Sequence, residues 1–384
     1  MSVGGGAGST ARRRPLQHID WFLFVAALAI SLLGLATMRS FGAENSYFDR
    51  QIVWISIAIG VFFVASLGDY SFLRRTPVVA GAFIFILTLL ALIFAFGAVV
   101  RGGQNRFDLG FFAVQPADPA KLILIMVLAK YFSRRHVEIK HYRHILVSGM
   151  YAFLMFVLVL LQPDFGSALT IFGIWFGMVL VSGISWKHLL ILLLAAFIVF
   201  AGLWHFGLKQ YQKDRILTFI HPLADIRGTG YNAYQSTVAV GSGELLGKGV
   251  GYGTQSKLQF LPEFQTDFIF AAFAEEWGFF GVVLLFGLFV IVTFRILSIS
   301  MHAADNFDTL FAAGVGIYFF SQFLVHAGMN MGLVPITGTT LPLMSYGGSH
   351  LLTEYLALGI LMAMRRHARP SIQARDETEL IGAV

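Results

Sequence analysis

Four acidic residues lie close together where a long apolar run of the sequence begins. Glu263 and Asp267 precede the run, and Glu275 and Glu276 follow one or two helical turns further on. If a helix already begins at Glu263, the first two carboxylates lie on one face, and like charges that close favour protonation of one of them. Such a carboxyl suits a general base or a metal ligand. The alternative is acidic charge favoured by a helix N-terminus, which explains one acid better than two.

Other polar residues lie at the ends of other apolar runs. Asp118 and Lys121 are three residues apart, so they can pair on one helix face, either within a site or only as a helix start. Asp164 lies between Pro163 and Gly166, which favour a turn. Its carboxylate can cap the helix that follows or contribute to a site.

One segment near the C-terminus is interrupted by Gly and Pro. It contains the sequence Thr339-Thr340-Leu341-Pro342-Leu343-Met344-Ser345-Tyr346-Gly347-Gly348-Ser349. Irregular backbone of this kind is stable at membrane depth only where protein or a water-filled cavity shields it. We therefore predict a re-entrant stretch, with close helix packing as the alternative explanation of its small residues.

The composition predicts that membrane-spanning helices position these residues. The chain has 384 residues, of which 57% are hydrophobic and 12% are charged, and its mean hydropathy is +0.73. A soluble domain carries about 25% charged residues. Long apolar runs indicate helices and exclude both a soluble enzyme with one anchor and an outer-membrane barrel. The absence of Cys excludes disulfides, thiolate metal sites and thiol catalysis.

We predict an all-α integral membrane protein with about ten transmembrane helices. The predicted spans are 19–38, 50–68, 78–100, 119–133, 145–163, 166–183, 187–206, 268–298, 307–330 and 350–364. Lys and Arg concentrate in the loops on the side of the N-terminus, so both termini are predicted in the cytoplasm. Ionisable side chains at the ends of these spans are then costly to bury, and each is a candidate site residue.

Three predictions concern the chain ends and the longest loop. Residues 1–18 and 367–384 are predicted to be disordered cytoplasmic ends of a membrane domain that covers 19–366. Residues 207–267 form one large extracytoplasmic loop, which mixes aromatic, Gly and charged residues and is predicted to fold against the membrane face.

The motifs of this chain, taken in order, resemble those of the SEDS family (shape, elongation, division and sporulation), especially its RodA branch, with FtsW and SpoVE as relatives. The resemblance covers about residues 19–366. The matching segments are Gln115-Pro116 with Ala120-Lys121, Gln162-Pro163-Asp164-Phe165-Gly166, Arg215, Gly247-Lys248-Gly249, Gly253-Thr254-Gln255-Ser256, Leu261-Pro262-Glu263, Thr266-Asp267-Phe268, Glu275-Glu276-Trp277-Gly278 and Leu341-Pro342-Leu343-Met344-Ser345-Tyr346-Gly347-Gly348-Ser349.

The resemblance implies a peptidoglycan glycosyltransferase that polymerises lipid II at the outer face of the cytoplasmic membrane, for cell elongation and shape. It implies as partners a class B penicillin-binding protein, which is a transpeptidase, and other proteins of a cell-elongation complex, within membrane lipid. No nucleic-acid partner is predicted. In the family the acid of the Thr-Asp-Phe motif is essential, and it matches Asp267; the family's Glu matches Glu263 and its Lys matches Lys121.

The implied reaction assigns a role to each candidate. A sugar hydroxyl attacks the anomeric carbon of a second sugar on a lipid diphosphate, so Asp267 is predicted as the base with Glu263 beside it. The leaving diphosphate requires cations, and a divalent ion, Mg²⁺ or Mn²⁺, held by Asp267 and Glu263 is predicted as a helper. The predicted substrate-binding residues are Lys121, Asp118, Arg106, Arg215, Lys248, Asp164 and Ser345.

Two departures from the family pattern concern substrate binding. The family's Gln-Pro-Ser-Glu is here Gln115-Pro116-Ala117-Asp118, one methylene shorter, and Pro119 follows it. The Arg of the family's Gly-Ala-x-Arg-Trp is displaced by one position, to Arg106.

Two other functions remain open from the sequence. A lipid II flippase would also have ten spans and charged residues, although no inverted repeat is evident and the charges favour one side over the midplane. A scaffold that only recruits its transpeptidase would have no use for the Glu263/Asp267 pair.

Overall fold

The computed structural model describes residues 18–41, 46–100, 103–108, 110, 113–134, 142–202, 204–205, 210–221, 228, 230–258 and 260–381. The predicted disordered N-terminus therefore lies outside the described residues, apart from His18. The described residues form thirteen α-helices: α1 (Trp21–Arg39), α2 (Tyr47–Leu67), α3 (Thr76–Phe96), α4 (Ala117–Ser133), α5 (Tyr142–Leu161), α6 (Phe165–Val181), α7 (Trp186–Gly202), α8 (Gln210–Ile220), α9 (Tyr231–Ser242), α10 (Thr254–Lys257), α11 (Ile269–Met301), α12 (Asn306–Asn330) and α13 (Gly348–Ile381).

Each predicted span coincides with one of the helices α1–α7 and α11–α13. Within the described residues six helices, α1, α2, α3, α5, α11 and α12, are long and apolar enough to cross a bilayer. The chain is therefore a multi-pass membrane protein, and the count of about ten spans stays a prediction. At the C-terminus α13 continues to Ile381, whereas the sequence predicts disorder from residue 367.

Helix α4 lies at the centre of the bundle. It packs against α3, α5, α6, α12 and α13, and apolar side chains such as Leu124 and Leu128 are fully buried. A helix that is apolar on all sides is covered either by protein or by lipid, and α4 is covered by protein. The packing carries the first turn of α4, with Asp118 and Lys121, into the protein interior.

A small antiparallel sheet between α3 and α4 was not predicted. Its strands β1 (Ala98–Val100), β2 (Gly103–Asp108) and β3 (Ala113–Val114) lie in the order β1-β2-β3. The predicted span 78–100 was therefore too long, because α3 ends at Phe96. Hydropathy does not distinguish a short apolar strand from the end of an apolar helix. The fold remains helical apart from this sheet, which carries Arg106.

The predicted large loop, residues 207–267, contains α8, α9 and α10 and packs on the bundle through α9. Helix α9 contacts α11 and α12, and Ser236 Oγ donates to Asn330 O at 2.9 Å. Arg215 lies within α8, but its side chain lies outside the described part of the structure.

Helix α11 is broken near its start. Gly278 has φ 64° and ψ −166°, backbone angles that are essentially restricted to glycine. A short helix from Ile269 to Trp277 therefore precedes the long helix. The predicted span 268–298 was treated as one helix, and the break is a correction.

The loop segment 244–249 supplies the hydrogen bonds that the break removes from the helix. The amides of Lys248 and Gly249 donate to Glu275 O and Glu276 O, both at 3.0 Å. On the other side of the break, the amide of Phe279 donates to Glu244 O at 2.9 Å. The short helix and this segment of the loop are thereby joined by backbone contacts.

We expect Gly278→Ala to be strongly destabilising. A Cβ at Gly278 would lie 2.2 Å from the amide nitrogen of Gly247, and the φ of 64° adds strain. Gly287 in the same helix is the matched control, because a Cβ there meets nothing within 4 Å. Gly287→Ala should be neutral or stabilising by about 1 kcal/mol, as measured by thermal unfolding in detergent. Equal unfolding midpoints for the two variants would contradict the assignment of the kink.

Candidate active site

A cavity of about 870 Å³ opens at the end of the bundle where the small sheet lies. Its wall is formed by the first turns of α2, α4, α6 and α13, by the sheet and by the segments that precede α11 and α13. Six of the predicted site residues line it: Glu263, Asp267, Asp118, Lys121, Asp164 and Arg106. Residues more than 200 positions apart in the sequence thus face one space.

Glu263 and Asp267 belong to a turn, and the helix begins only at Ile269. Glu263 has φ 49°, and its carbonyl accepts the amides of Thr266 and Asp267, both at 3.0 Å. The condition that a helix already begins at Glu263 is not met. The two carboxylates nevertheless line the same cavity.

Three contacts from neighbouring elements hold this turn. Asn330 Nδ2 of α12 donates to Asp267 O at 3.0 Å, and the amide of Tyr346 donates to Gln265 O at 2.9 Å. Ser345 Oγ donates to Thr266 O at 2.8 Å. Asp267 is therefore fixed through its backbone.

The predicted substrate contact from Ser345 is not supported by the structure. Ser345 is fully buried and is absent from the cavity wall. Its hydroxyl accepts the amide of Leu341 at 2.8 Å in addition to its bond to the turn. Ser345 thus stabilises the turn. A sequence motif alone does not show whether a serine stabilises a turn or binds substrate.

Asp118 and Lys121 form the predicted pair. Lys121 Nζ lies 3.0 Å from Asp118 Oδ1, and both side chains are buried. The ammonium also lies 5.9 Å from the centroid of the Tyr318 ring. A buried ion pair of this kind is held in one geometry, so Lys121 presents a fixed positive charge at the cavity wall.

Asp164 caps a helix, which is one of its two predicted roles; it also lines the cavity, and its part in substrate binding stays a prediction. Its Oδ1 accepts the amide of Ser167 at 2.9 Å and caps α6, while Oδ2 accepts Gln115 Nε2 at 2.6 Å. Burial raises the pKa of the Asp164 carboxyl, and the hydrogen bond from Ser167 opposes that shift.

Arginine reaches the cavity from two elements. Arg106 lies on β2 and lines the cavity as predicted, and Arg50 of α2 lines it as well. Arg50 was not predicted as a site residue, because the sequence places it only in a short loop that is predicted on the outer side. Tyr47, Arg50 and Trp54 of α2 have the spacing i, i+3, i+7 of a single helix face. That spacing was the available signal.

Aromatic side chains were also missed. Tyr47, Trp54 and Tyr346 line the cavity, and the rings of Tyr47 and Tyr346 meet edge to face with centroids 4.9 Å apart. Flat apolar rings beside charged groups suit a ligand that has both sugar faces and anionic groups.

Lys248 does not line this cavity, and its predicted substrate contact stays a prediction. Lys248 Nζ lies 2.7 Å from Glu275 Oε1. The same carboxylate oxygen accepts the amide of Thr254 at 2.9 Å and its hydroxyl at 2.8 Å. Glu275 is fully buried, so the pair holds the large loop against the short helix that follows the turn.

The divalent ion predicted at Glu263 and Asp267 stays a prediction. Among the residues that the structure describes, no group of three or more His, Cys, Asp or Glu side chains could hold a metal ion. Mg²⁺ is commonly bound by one or two carboxylates together with waters and substrate phosphates. Glu263 and Asp267 meet that smaller requirement with oxygen donors.

The chain is similar to known proteins over most of its length. Residues 15–370 match the family model FTSW_RODA_SPOVE, described as Cell cycle protein. The peptidoglycan glycosyltransferase MrdB of Escherichia coli K12 is 33% identical over 92% of this chain and 95% of its own. The stage V sporulation protein E of Bacillus subtilis 168 is 33% identical over 91% of this chain and 98% of its own.

Two solved structures have a similar fold. One is a chain from a structure described as "Structural coordination of polymerization and crosslinking by a peptidoglycan synthase complex". Its TM-score is 0.78 at 30% sequence identity, and the match covers 91% of this chain and 98% of that one. The rod shape determining protein RodA of Thermus thermophilus has a TM-score of 0.67 at 28% identity, covering 91% of this chain and 97% of that one. The predicted resemblance is confirmed: the chain belongs to the FtsW/RodA/SpoVE family, the SEDS proteins.

Proposed function

We propose that this protein is a peptidoglycan glycosyltransferase that polymerises lipid II into glycan strands for cell elongation and shape. The observation that carries the proposal is the cavity, where Asp267 and Glu263 face Lys121, Arg50 and Arg106. Carboxylates that accept a proton and cations that neutralise a diphosphate are the two requirements of this transfer.

The proposed step is an inverting substitution. Asp267 accepts the proton of the attacking sugar hydroxyl as its oxygen bonds to the anomeric carbon of the second sugar. The bond from that carbon to the diphosphate breaks on the opposite face, so an α-linked donor gives a β-linked chain. The leaving group departs as a diphosphate, which requires cations and no acid catalyst.

Three side chains are suited to hold that diphosphate. Arg50 and Arg106 offer paired N–H donors that match phosphate oxygens, and Lys121 offers a point charge. Asp118 keeps Lys121 in place through the 3.0 Å ion pair. The family's longer Glu is replaced by Asp118 here, and the pair forms nevertheless.

Glu263 and Asp267 would hold Mg²⁺ or Mn²⁺ at this site, and a bound ion would supply positive charge to the diphosphate oxygens. We expect EDTA to lower the rate of polymerisation by at least tenfold and added Mg²⁺ to restore it. The measurement is the initial rate with and without chelator. An unchanged rate in excess EDTA would exclude the metal.

The proposed location is the cytoplasmic (inner) membrane with both termini in the cytoplasm. The distribution of Lys and Arg supports this orientation, which places the cavity at the outer face. The proposed partners are a class B penicillin-binding protein and other proteins of the cell-elongation complex. The similarity to a chain of a peptidoglycan synthase complex supports such a partner.

Incubation with lipid II tests the proposal. The purified protein and its class B transpeptidase are supplied with lipid II and Mg²⁺ in detergent, and products are separated on a gel. We expect glycan ladders that a β-specific muramidase digests. A flippase would give no ladder in detergent but would move lipid II across liposome membranes, and that pair of results would overturn the proposal.

A further inference from the structure

One buried acid has no role in the proposed reaction. Glu354 lies on α13 and is fully buried. It is six residues beyond Gly348 at the cavity wall, about 9 Å along the helix axis. A carboxyl at this depth is costly, so the contacts that it makes indicate why it is there.

The carboxyl of Glu354 binds the backbone of the segment 341–347, which precedes α13. Its Oε2 accepts the amide of Leu343 at 2.7 Å. Leu343 has φ 64°, a left-handed conformation that a leucine keeps only when its surroundings hold it. Its carbonyl is held as well, since Ser31 Oγ of α1 donates to it at 2.8 Å.

The same segment holds the turn that carries Asp267. Tyr346 donates its amide to Gln265 O at 2.9 Å, and Ser345 Oγ donates to Thr266 O at 2.8 Å. A continuous chain of hydrogen bonds and covalent bonds therefore runs from Glu354 through Leu343 to the residues directly before Asp267.

Other charged and polar groups surround Glu354. The Asp118–Lys121 pair of α4 is close enough to act on it electrostatically, as is Tyr318 of α12. Glu354 therefore contacts the segment behind the proposed base and lies close enough to Lys121, the proposed diphosphate cation, to interact with it electrostatically.

We propose that Glu354 is a positioning residue that fixes the segment 341–347, and through it the Asp267 turn, relative to Lys121. The consequence for the reaction rests on the proposed function. A base displaced by about 1 Å can cost about 10²-fold in rate. Removal of the Glu354 carboxyl should therefore lower kcat more than it raises KM, because the proposed diphosphate contacts Lys121, Arg50 and Arg106 lie outside the segment and the turn.

Two variants of Glu354 separate positioning from stability. Glu354→Leu removes the acceptor for the Leu343 amide, whereas Glu354→Gln keeps an acceptor oxygen of the same reach. We expect kcat to fall by about 10²-fold in Glu354→Leu and by less than about tenfold in Glu354→Gln, with KM within about threefold in both. The control is Asp308→Leu, which removes another buried carboxyl, about 20 Å along α12 from Gln322 of the cavity. That variant should lose stability without losing kcat.

Amide hydrogen exchange gives a second readout that does not depend on catalysis. Exchange in the peptides that cover 263–268 and 341–347 should accelerate in Glu354→Leu, partly in Glu354→Gln, and not in Asp308→Leu. Folded Glu354→Leu with wild-type kcat, or with unchanged exchange in both peptides, would overturn the proposal. If wild-type protein makes no glycan, the proposed function fails, and the exchange experiment still decides whether Glu354 holds the turn.

Discussion

Asp267→Asn should reduce polymerisation of lipid II by about 10²–10⁴-fold, the usual contribution of a general base. Asn has nearly the shape of Asp, and the backbone carbonyl at this position still accepts Asn330 Nδ2. The turn should therefore survive, so affinity for lipid II should be close to that of wild type. The measurements are initial rates of glycan formation and equilibrium binding of lipid II.

Asp108→Asn is the matched control for this prediction. Asp108 also lines the cavity, but its Oδ1 caps a local turn by accepting the amide of Gly110 at 2.9 Å. The neutral variant should keep its rate within about threefold. A wild-type rate of polymerisation in Asp267→Asn would exclude Asp267 as the base. Equal losses of rate in both variants would indicate that the reaction requires negative charge in the cavity and no base at Asp267.

Lys121→Met should be inactive and also unstable. The substitution leaves the buried Asp118 carboxylate without its cation, which costs about 3–5 kcal/mol when one partner of a buried pair is removed. Loss of one positive group facing developing negative charge typically lowers a rate by about 10²–10³-fold. Thermal unfolding and initial rates measure the two effects on the same preparation.

The double variant Asp118→Asn/Lys121→Met separates the two effects. Removal of both charges should restore most of the stability, because no unpaired charge stays buried, but it should not restore polymerisation. The single variant Asp118→Asn keeps the cation and should retain more activity than either variant without Lys121. Recovery of activity in the double variant would mean that Lys121 serves only the stability of α4.

The spans were predictable because lipid imposes a simple condition on sequence. Any segment that crosses the bilayer must satisfy its backbone internally and expose apolar side chains, and each predicted span coincides with a helix. The sheet at Ala98–Val100 and the break at Gly278 were not predictable in this way. Both depend on backbone hydrogen bonds to partners that are distant in sequence or separated by a turn, and hydropathy contains no information on such partners.

The site was predictable where residue type alone is informative. Asp118, Lys121 and Asp267 were identified because charges at the ends of spans are costly. The pairing of Lys248 with Glu275 was not predicted, because the sequence does not reveal that the two side chains lie together. Glu354 escaped attention within an otherwise apolar span, although its charge at that depth was itself a signal.

Reversible obstruction of the cavity tests the central claim, that the glycosidic bond forms there. The chain contains no Cys, so a single thiol can be placed at Ala113 on the cavity wall, with Leu246→Cys at an exposed position of the large loop as the control. A bulky, charged thiosulfonate reagent is added in detergent with lipid II. We expect labelled Ala113→Cys to polymerise at less than about a tenth of its unlabelled rate and to recover on reduction, while labelled Leu246→Cys keeps its rate. Fully labelled Ala113→Cys with an unchanged rate would contradict the assignment of the cavity as the active site.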